Sequence, residues 1–185
     1  ADIRAIDDHV IRSDSIDLVV TSPPYPNSYD YYLYHKWRMW WLGMDFNIAK
    51  DAEIGSRNEH SSRRAPIDTY VTKMRAAFGT VARVLKPSKL AYVLIGDAVL
   101  DGKFFNLREV FADITKGTEL ELIDAVDYSL AKVSRSFNEK RSKGCHGGTK
   151  HPDKRQHVLV LRRFRTVRSV FSGRIQATPL AKRKV

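Results

Sequence analysis

The chain has 185 residues, 43% hydrophobic and 29% charged, a globular composition that excludes intrinsic disorder and suits one domain with its own core. Its 32 Lys plus Arg against 21 Asp plus Glu give a formal net charge of +11, which points to a polyanionic partner, nucleic acid first, with a merely basic protein as the alternative. The longest apolar runs, such as residues 90–95, fall far short of the roughly 20 residues that span a bilayer. No secretory signal opens the sequence and Cys145 stands alone, so the expectation is a cytoplasmic protein without disulfides or membrane contact.

In chain order, "ADIRAI" reads as a short strand or turn, and "IDLVVT" as a buried strand. From residue 31 to 44, Leu33, Trp37, Trp40, Trp41 and Met44 recur at helical spacing, with Asp30 placed to cap the start and Gly43 near the end. The Trp37, Trp40 and Trp41 stripe is expected in the core; were it instead to face an absent partner, a large apolar patch would be exposed. Residues 46–66 lack periodicity and read as a long loop. Ile67, Tyr70, Val71, Met74, Phe78, Val81 and Leu85 then mark an amphipathic helix stopped by Lys86 and Pro87. A strand at 90–95 ends in Gly96 and Asp97, a helix is predicted from 107 to about 116, and strands at 121–131 and 156–164 flank a basic loop at 134–155. This order predicts an α/β layered sheet with helices on its faces and an antiparallel edge strand pair at the C-terminal end, spanning residues 1–164, with a basic tail at 165–185.

The stretch that carries chemistry is "TSPPY" at the end of the first strand. Two prolines fix two φ angles and remove two N–H donors, leaving rigid carbonyls at a sheet edge where ligands bind in open α/β folds. An exocyclic amine of a nucleobase is a poor nucleophile because its lone pair is delocalised into the ring. Acceptors placed outside the base plane free that lone pair. The Ser22 hydroxyl and a proline carbonyl, Pro23 before Pro24, can be those acceptors, while Tyr25 can stack on a base drawn out of its helix.

On these residues the chain resembles the S-adenosylmethionine-dependent amino-methyltransferases of DNA, whose pattern is Asp, Asn or Ser, then Pro-Pro, then an aromatic. "VLKPSKLAYVLIGD" is similar to that family's helix-to-strand passage, and "QHVLVLRR" to its last strand. The resemblance implies a partial Rossmann-like methyltransferase sheet, with Ser22, Pro23, Pro24 and Tyr25 catalytic and S-adenosylmethionine as donor. Ser in the first place leans toward cytosine N4, with adenine N6 next, in a restriction-modification setting. Asp2, on the segment where the family contacts the donor's adenine, and Tyr29 and Asp30, in the loop after the motif, are the donor-binding candidates. The family's Phe-x-Gly-x-Gly turn does not occur among the ten glycines. The donor-binding half is therefore expected elsewhere, in a neighbouring segment or a partner chain.

DNA contacts are expected from Arg57, Arg63 and Arg64 in one predicted loop, and from Lys140, Arg141, Lys143, Lys150 and Lys154 in the other. Asp97 reads either as a polar residue of the crevice or as a strand-end turn, and Asn27 as a turn residue. Cys145, His146, His151 and His157 do not reproduce the spacing of paired zinc ligands, so no metal is expected. The rival readings are a non-catalytic nucleic-acid-binding module of the same fold and an RNA methyltransferase.

Overall fold

The structure, a computed structural model, describes residues 2–129 and 155–164. In chain order it contains a 3-10 turn (Ile3–Ala5), β1 (Ile16–Thr21), α1 (Tyr31–Tyr34), α2 (Lys36–Trp41), α3 (Phe46–Ala52), a π turn (Asn58–Ser62), α4 (Ile67–Val84), β2 (Leu85–Gly96), β3 (Ala98–Leu100), β4 (Lys103–Phe105), α5 (Leu107–Thr115), β5 (Leu120–Ser129) and β6 (Arg155–Arg163). The tail at 165–185 lies outside the described residues, as do the five lysines and arginines between 140 and 154.

The four long strands form one sheet in the order β1-β2-β6-β5. β1 runs parallel to β2, whereas β6 runs antiparallel to both β2 and β5. The fold is thus α/β with a mixed sheet and an antiparallel pair at one edge, as the strand order implied. Because β1 and β2 are parallel, their carboxyl ends meet at the same edge, with Thr21 opposite Val93. The antiparallel β6 brings its first residues to that edge too, Gln156 lying opposite Gly96.

The apolar stripe of α4 does what its spacing predicts: Tyr70, Val71, Met74, Phe78 and Val81 are buried, as are Leu107, Phe111 and Ile114 of α5. Phe78 meets Phe111 edge-on with ring centroids 5.2 Å apart, the arrangement that sets a positive ring edge against a negative face. Both helices cover the side of the sheet that carries Ala91, Val93 and Ile95 of β2 and Leu159 and Leu161 of β6, all fully buried. α4 ends where Pro87 removes a donor: Leu85 is extended, the segment around Ser88 (φ 66°) bulges out, and pairing resumes with Leu18 opposite Leu90. The opposite face of the sheet stays exposed at Leu18, Val20 and Tyr92, so β1 is not the buried strand that "IDLVVT" suggested.

Three expectations change. The single helix expected at 31–44 is broken at His35 into α1 and α2. Trp37, Trp40 and Trp41 are not core residues; they are 72%, 69% and 80% exposed. The two helices are too short to lay a continuous stripe against the sheet. Their side chains pack mainly on themselves, Trp40 edge-on to Trp41. Tyr34, Leu42 and Ile48 beside them are exposed as well. Third, the expected loop at 46–66 holds α3, capped by the Asp45 carboxylate on Asn47 N–H at 2.7 Å, and the π turn. A small β3–β4 hairpin was also missed. Its Asp101-Gly102 corner adopts positive φ at both residues (46° and 72°), as a tight hairpin turn requires.

Candidate active site at the carboxyl edge of the sheet

Ser22 leaves the end of β1 exposed, whereas Pro23 is buried and Pro24 exposed. The two proline carbonyls, equivalent in the sequence, differ in the structure. The Tyr70 hydroxyl, buried in α4, donates to the Pro24 carbonyl at 2.9 Å. The Pro23 carbonyl makes no hydrogen bond among the described residues. Burial pushes the Tyr70 phenol far up from its ordinary range, so it remains a donor at any working pH.

Other groups fix the loop from its far side. Asn27, at φ 59°, donates its backbone N–H to Gly55 (2.9 Å) and its amide Nδ2 to the Val99 carbonyl (3.0 Å), and accepts from the Ser61 hydroxyl (2.6 Å). It is more than the turn residue its position suggested, because it joins the motif loop to β3 and to the π turn. Gly55 is required here: its φ is +72°, and a Cβ would lie 3.2 Å from both Pro26 Cα and a Tyr70 ring carbon. Replacing Tyr70 by Phe keeps the packing and strips the Pro24 carbonyl of its donor. The expected loss is about 1–3 kcal/mol of stability, read from chemical denaturation, and an unchanged midpoint would show that the loop does not depend on this bond.

Tyr25 is half-buried. Its hydroxyl lies 3.4 Å from both Ser22 Oγ and the Leu94 carbonyl, and burial raises the phenol above its usual value. Its ring passes over Gly96, where a Cβ would come within 3.2 Å of a ring carbon. The glycine of "IGD" is therefore a close-approach residue, allowing the aromatic of the motif to lie across the end of β2.

Asp97, left open between a crevice residue and a turn, is structural and sits at the site. Its Oδ1 accepts from Leu107 N–H (3.0 Å) and contacts His157 Nε2 (2.8 Å), and its Oδ2 accepts from Arg155 N–H (2.9 Å). The other nitrogen of His157 lies 2.8 Å from Asp127 Oδ1. His157 thus bridges two carboxylates and ties β6 to β2 and β5. Its hydrogen bond holds the Asp127 carboxyl below the usual carboxylate range. Asp127 and the bridging role of His157 escaped the sequence reading, since their partners lie 30 and 60 residues apart.

The remaining expected residues are scattered. The Asp2 carboxylate caps the first turn and pairs with Arg4 through both oxygens. Asp30 stands at the N-cap position of α1 without capping it; its Oδ1 accepts from Asn58 N–H at 2.8 Å. The open N–H groups of α1 are met by Glu53, 2.7 Å from Tyr31 N and 3.0 Å from Tyr32 N. Tyr29 is exposed beside Tyr31. Arg57, Arg63 and Arg64 are exposed, and among the described residues only Arg57 of these three borders the cavity at this edge, of about 220 Å³, between Tyr25 and Asp97.

No protein-family model matches the sequence, and no curated protein does. Among solved structures, the chain superposes on the PvuII DNA methyltransferase (cytosine-N4-specific) with a TM-score of 0.51 at 16% identity, over 84% of this chain and 45% of that one. The fold is a methyltransferase fold. It also superposes on a protein assigned as a DNA modification methylase of Thermus thermophilus, solved with S-adenosyl-L-methionine, with a TM-score of 0.50 at 15% identity, over 91% of this chain and 55% of that one. The chain spans about half the length of the structures it matches.

Proposed function

We propose that this chain carries the base-handling part of a DNA amino-methyltransferase that uses S-adenosylmethionine. The reading rests on one observation: at the carboxyl edge of a methyltransferase-type sheet, an exposed Ser22 hydroxyl adjoins the Pro23 carbonyl, the one carbonyl of the motif's two prolines without a hydrogen-bond donor among the described residues. A rigid backbone acceptor without an internal partner can take a donor from a ligand. An exocyclic amine of an extruded base supplies two N–H groups for Ser22 and Pro23, and accepting both shifts its lone pair out of the ring. The loop is already held by Tyr70, Gly55 and Asn27, so little reorganisation accompanies binding. Tyr25 borders the base. Ser22 in the first place of the motif favours cytosine N4, then adenine N6.

The donor supplies a methyl group made electrophilic by its sulfonium. The described residues do not build its cradle: the carboxylates of Asp2 and Asp30 are engaged within the chain, and no glycine-rich turn is present. In this reading the donor site is completed by a neighbouring segment or partner chain packed on the free edge of β1 and the exposed Val20 and Leu18, and the enzyme works on cytoplasmic DNA. The half-length match favours one rival, a module that grips nucleic acid without catalysis. The deciding experiment is methyl transfer from labelled S-adenosylmethionine to duplex DNA and to RNA by the native full-length protein, with the product base identified. N4-methylcytosine in DNA is the expected product. DNA binding without transfer would favour the module, and label in RNA alone would move the activity to RNA.

A further inference from the structure

The cavity between the motif loop and the start of β6 has a volume of about 220 Å³, below the roughly 300–1,000 Å³ that holds a drug-sized ligand. It suits one small group. Its polar lining is mostly spoken for. Both oxygens of Asp97 are engaged within the chain, by two backbone N–H groups and by contact with His157 Nε2, the Gln156 side-chain carbonyl accepts from the Tyr128 hydroxyl at 2.6 Å, and Asn27 is bonded on both sides of its amide. What remains are two arginines, Arg57 and Arg155, whose guanidinium groups make no hydrogen bond among the described residues, the charge of Arg155 also acting on the Asp127 carboxylate. They arrive from different elements: Arg57 follows Ser56 at the entrance to the π turn, and Arg155 is the first residue of β6. Both backbones are pinned, Arg57 N–H on the Tyr29 carbonyl (3.4 Å) and Arg155 N–H on Asp97.

We infer that Arg57 and Arg155 form a phosphate clamp beside the Ser22–Tyr25 loop, gripping the sugar-phosphate backbone of the nucleotide whose base enters the site. Two arginines lining one small cavity bring planar, permanently charged forks that match the oxygens of a phosphodiester, and a carboxylate uses the same chemistry. Phosphate is favoured because the cavity adjoins Tyr25, the residue that borders the base, and because the net charge of +11 is already suited to a polyanion. The clamp deepens the proposed function and rests on the reading of this edge as the base site.

The test measures binding apart from catalysis. Arg57→Gln, Arg155→Gln and the double variant of this chain are titrated against a fluorescein-labelled DNA duplex across a range of salt concentrations. Lys116→Gln is the control, removing one charge just after α5, at the opposite edge of the sheet. Each arginine variant is expected to lower affinity about 5- to 10-fold near 0.1 M salt and to reduce the slope of log K against log salt by about 1, while Lys116→Gln leaves the slope unchanged. Slopes equal to wild type in both arginine variants overturn the clamp, as does absence of DNA binding by the wild-type chain. An effect confined to the KM for S-adenosylmethionine in the full-length protein also overturns it, reassigning the pair to the donor's carboxylate. The expected slopes combined with no methyl transfer by the full-length protein support the clamp and refute the enzymatic reading alone.

Discussion

Ser22→Ala is expected to lower kcat for methyl transfer by about a hundred- to a thousandfold, roughly 3–4 kcal/mol of transition-state stabilisation, the loss seen when one preorganised polar group facing developing charge is removed. The hydroxyl sits exposed at the end of β1, and its one side-chain neighbour within reach is the Tyr25 hydroxyl at 3.4 Å. Its removal therefore breaks no strong internal bond, and thermal unfolding should be unchanged. DNA affinity should also hold, because the charged contacts lie elsewhere, on Arg57 and Arg155. The amine of the target base gains positive character as it attacks, and an acceptor on its N–H strengthens with that charge. The interaction is thus worth more in the transition state than in the bound substrate, which places the loss in kcat and spares KM. Wild-type kcat in Ser22→Ala would remove the hydroxyl from the mechanism and leave the Pro23 carbonyl to act alone.

His157→Ala is expected to cost about 1–3 kcal/mol of stability, the usual consequence of leaving a buried polar group short of a hydrogen-bond partner. The His157 and Asp97 side chains are 1% and 3% exposed. Without the imidazole, Asp97 keeps two backbone donors and loses its one ionisable partner. For a chain of this size that corresponds to a fall in Tm of very roughly 5 °C. His157→Gln, which keeps one donor, should recover part of the loss. Acidification supplies a second readout. The Asp127 carboxyl is held below its ordinary value chiefly by the His157 hydrogen bond, so this contribution is fully present above about pH 4 and is lost as pH falls through the depressed value. In His157→Ala that acid-side loss should be shallower, since Asp127 then titrates closer to its unfolded value. A variant as stable as wild type at neutral pH would show that the bridge between β2, β5 and β6 adds nothing net to the fold.

Much of the architecture was legible because it follows from local periodicity and composition. The stripe from Ile67 to Leu85 could only be a helix buried on one side, and "LAYVLIGD" and "QHVLVLRR" could only be strands covered on at least one face. The Ser-Pro-Pro-Tyr stretch announced a stiff acceptor-rich strand end through covalent chemistry alone, since proline has no N–H to donate. The aromatic segment was misread for the opposite reason. Helical spacing reports that Trp37, Trp40 and Trp41 share a face, but not whether anything covers that face, and all three are largely exposed.

What the sequence by itself determined is therefore a basic α/β chain with a rigid polar strand end and without a glycine-rich turn. Only the tertiary structure decided which proline carbonyl is left without a donor, because the choice depends on Tyr70, 46 residues away, donating to Pro24. It likewise decided that Asp97 is held by His157, that Gly96 yields space to Tyr25, and that Arg155 shares a cavity with Arg57. These are contacts between chain-distant groups that meet only because β6 runs antiparallel to β2 and delivers its first residues to the edge where β1 and β2 end. Hydrogen bonds and close approaches of that kind carry no periodic signature along the chain. They are set by strand direction and register, which exist once the sheet has formed.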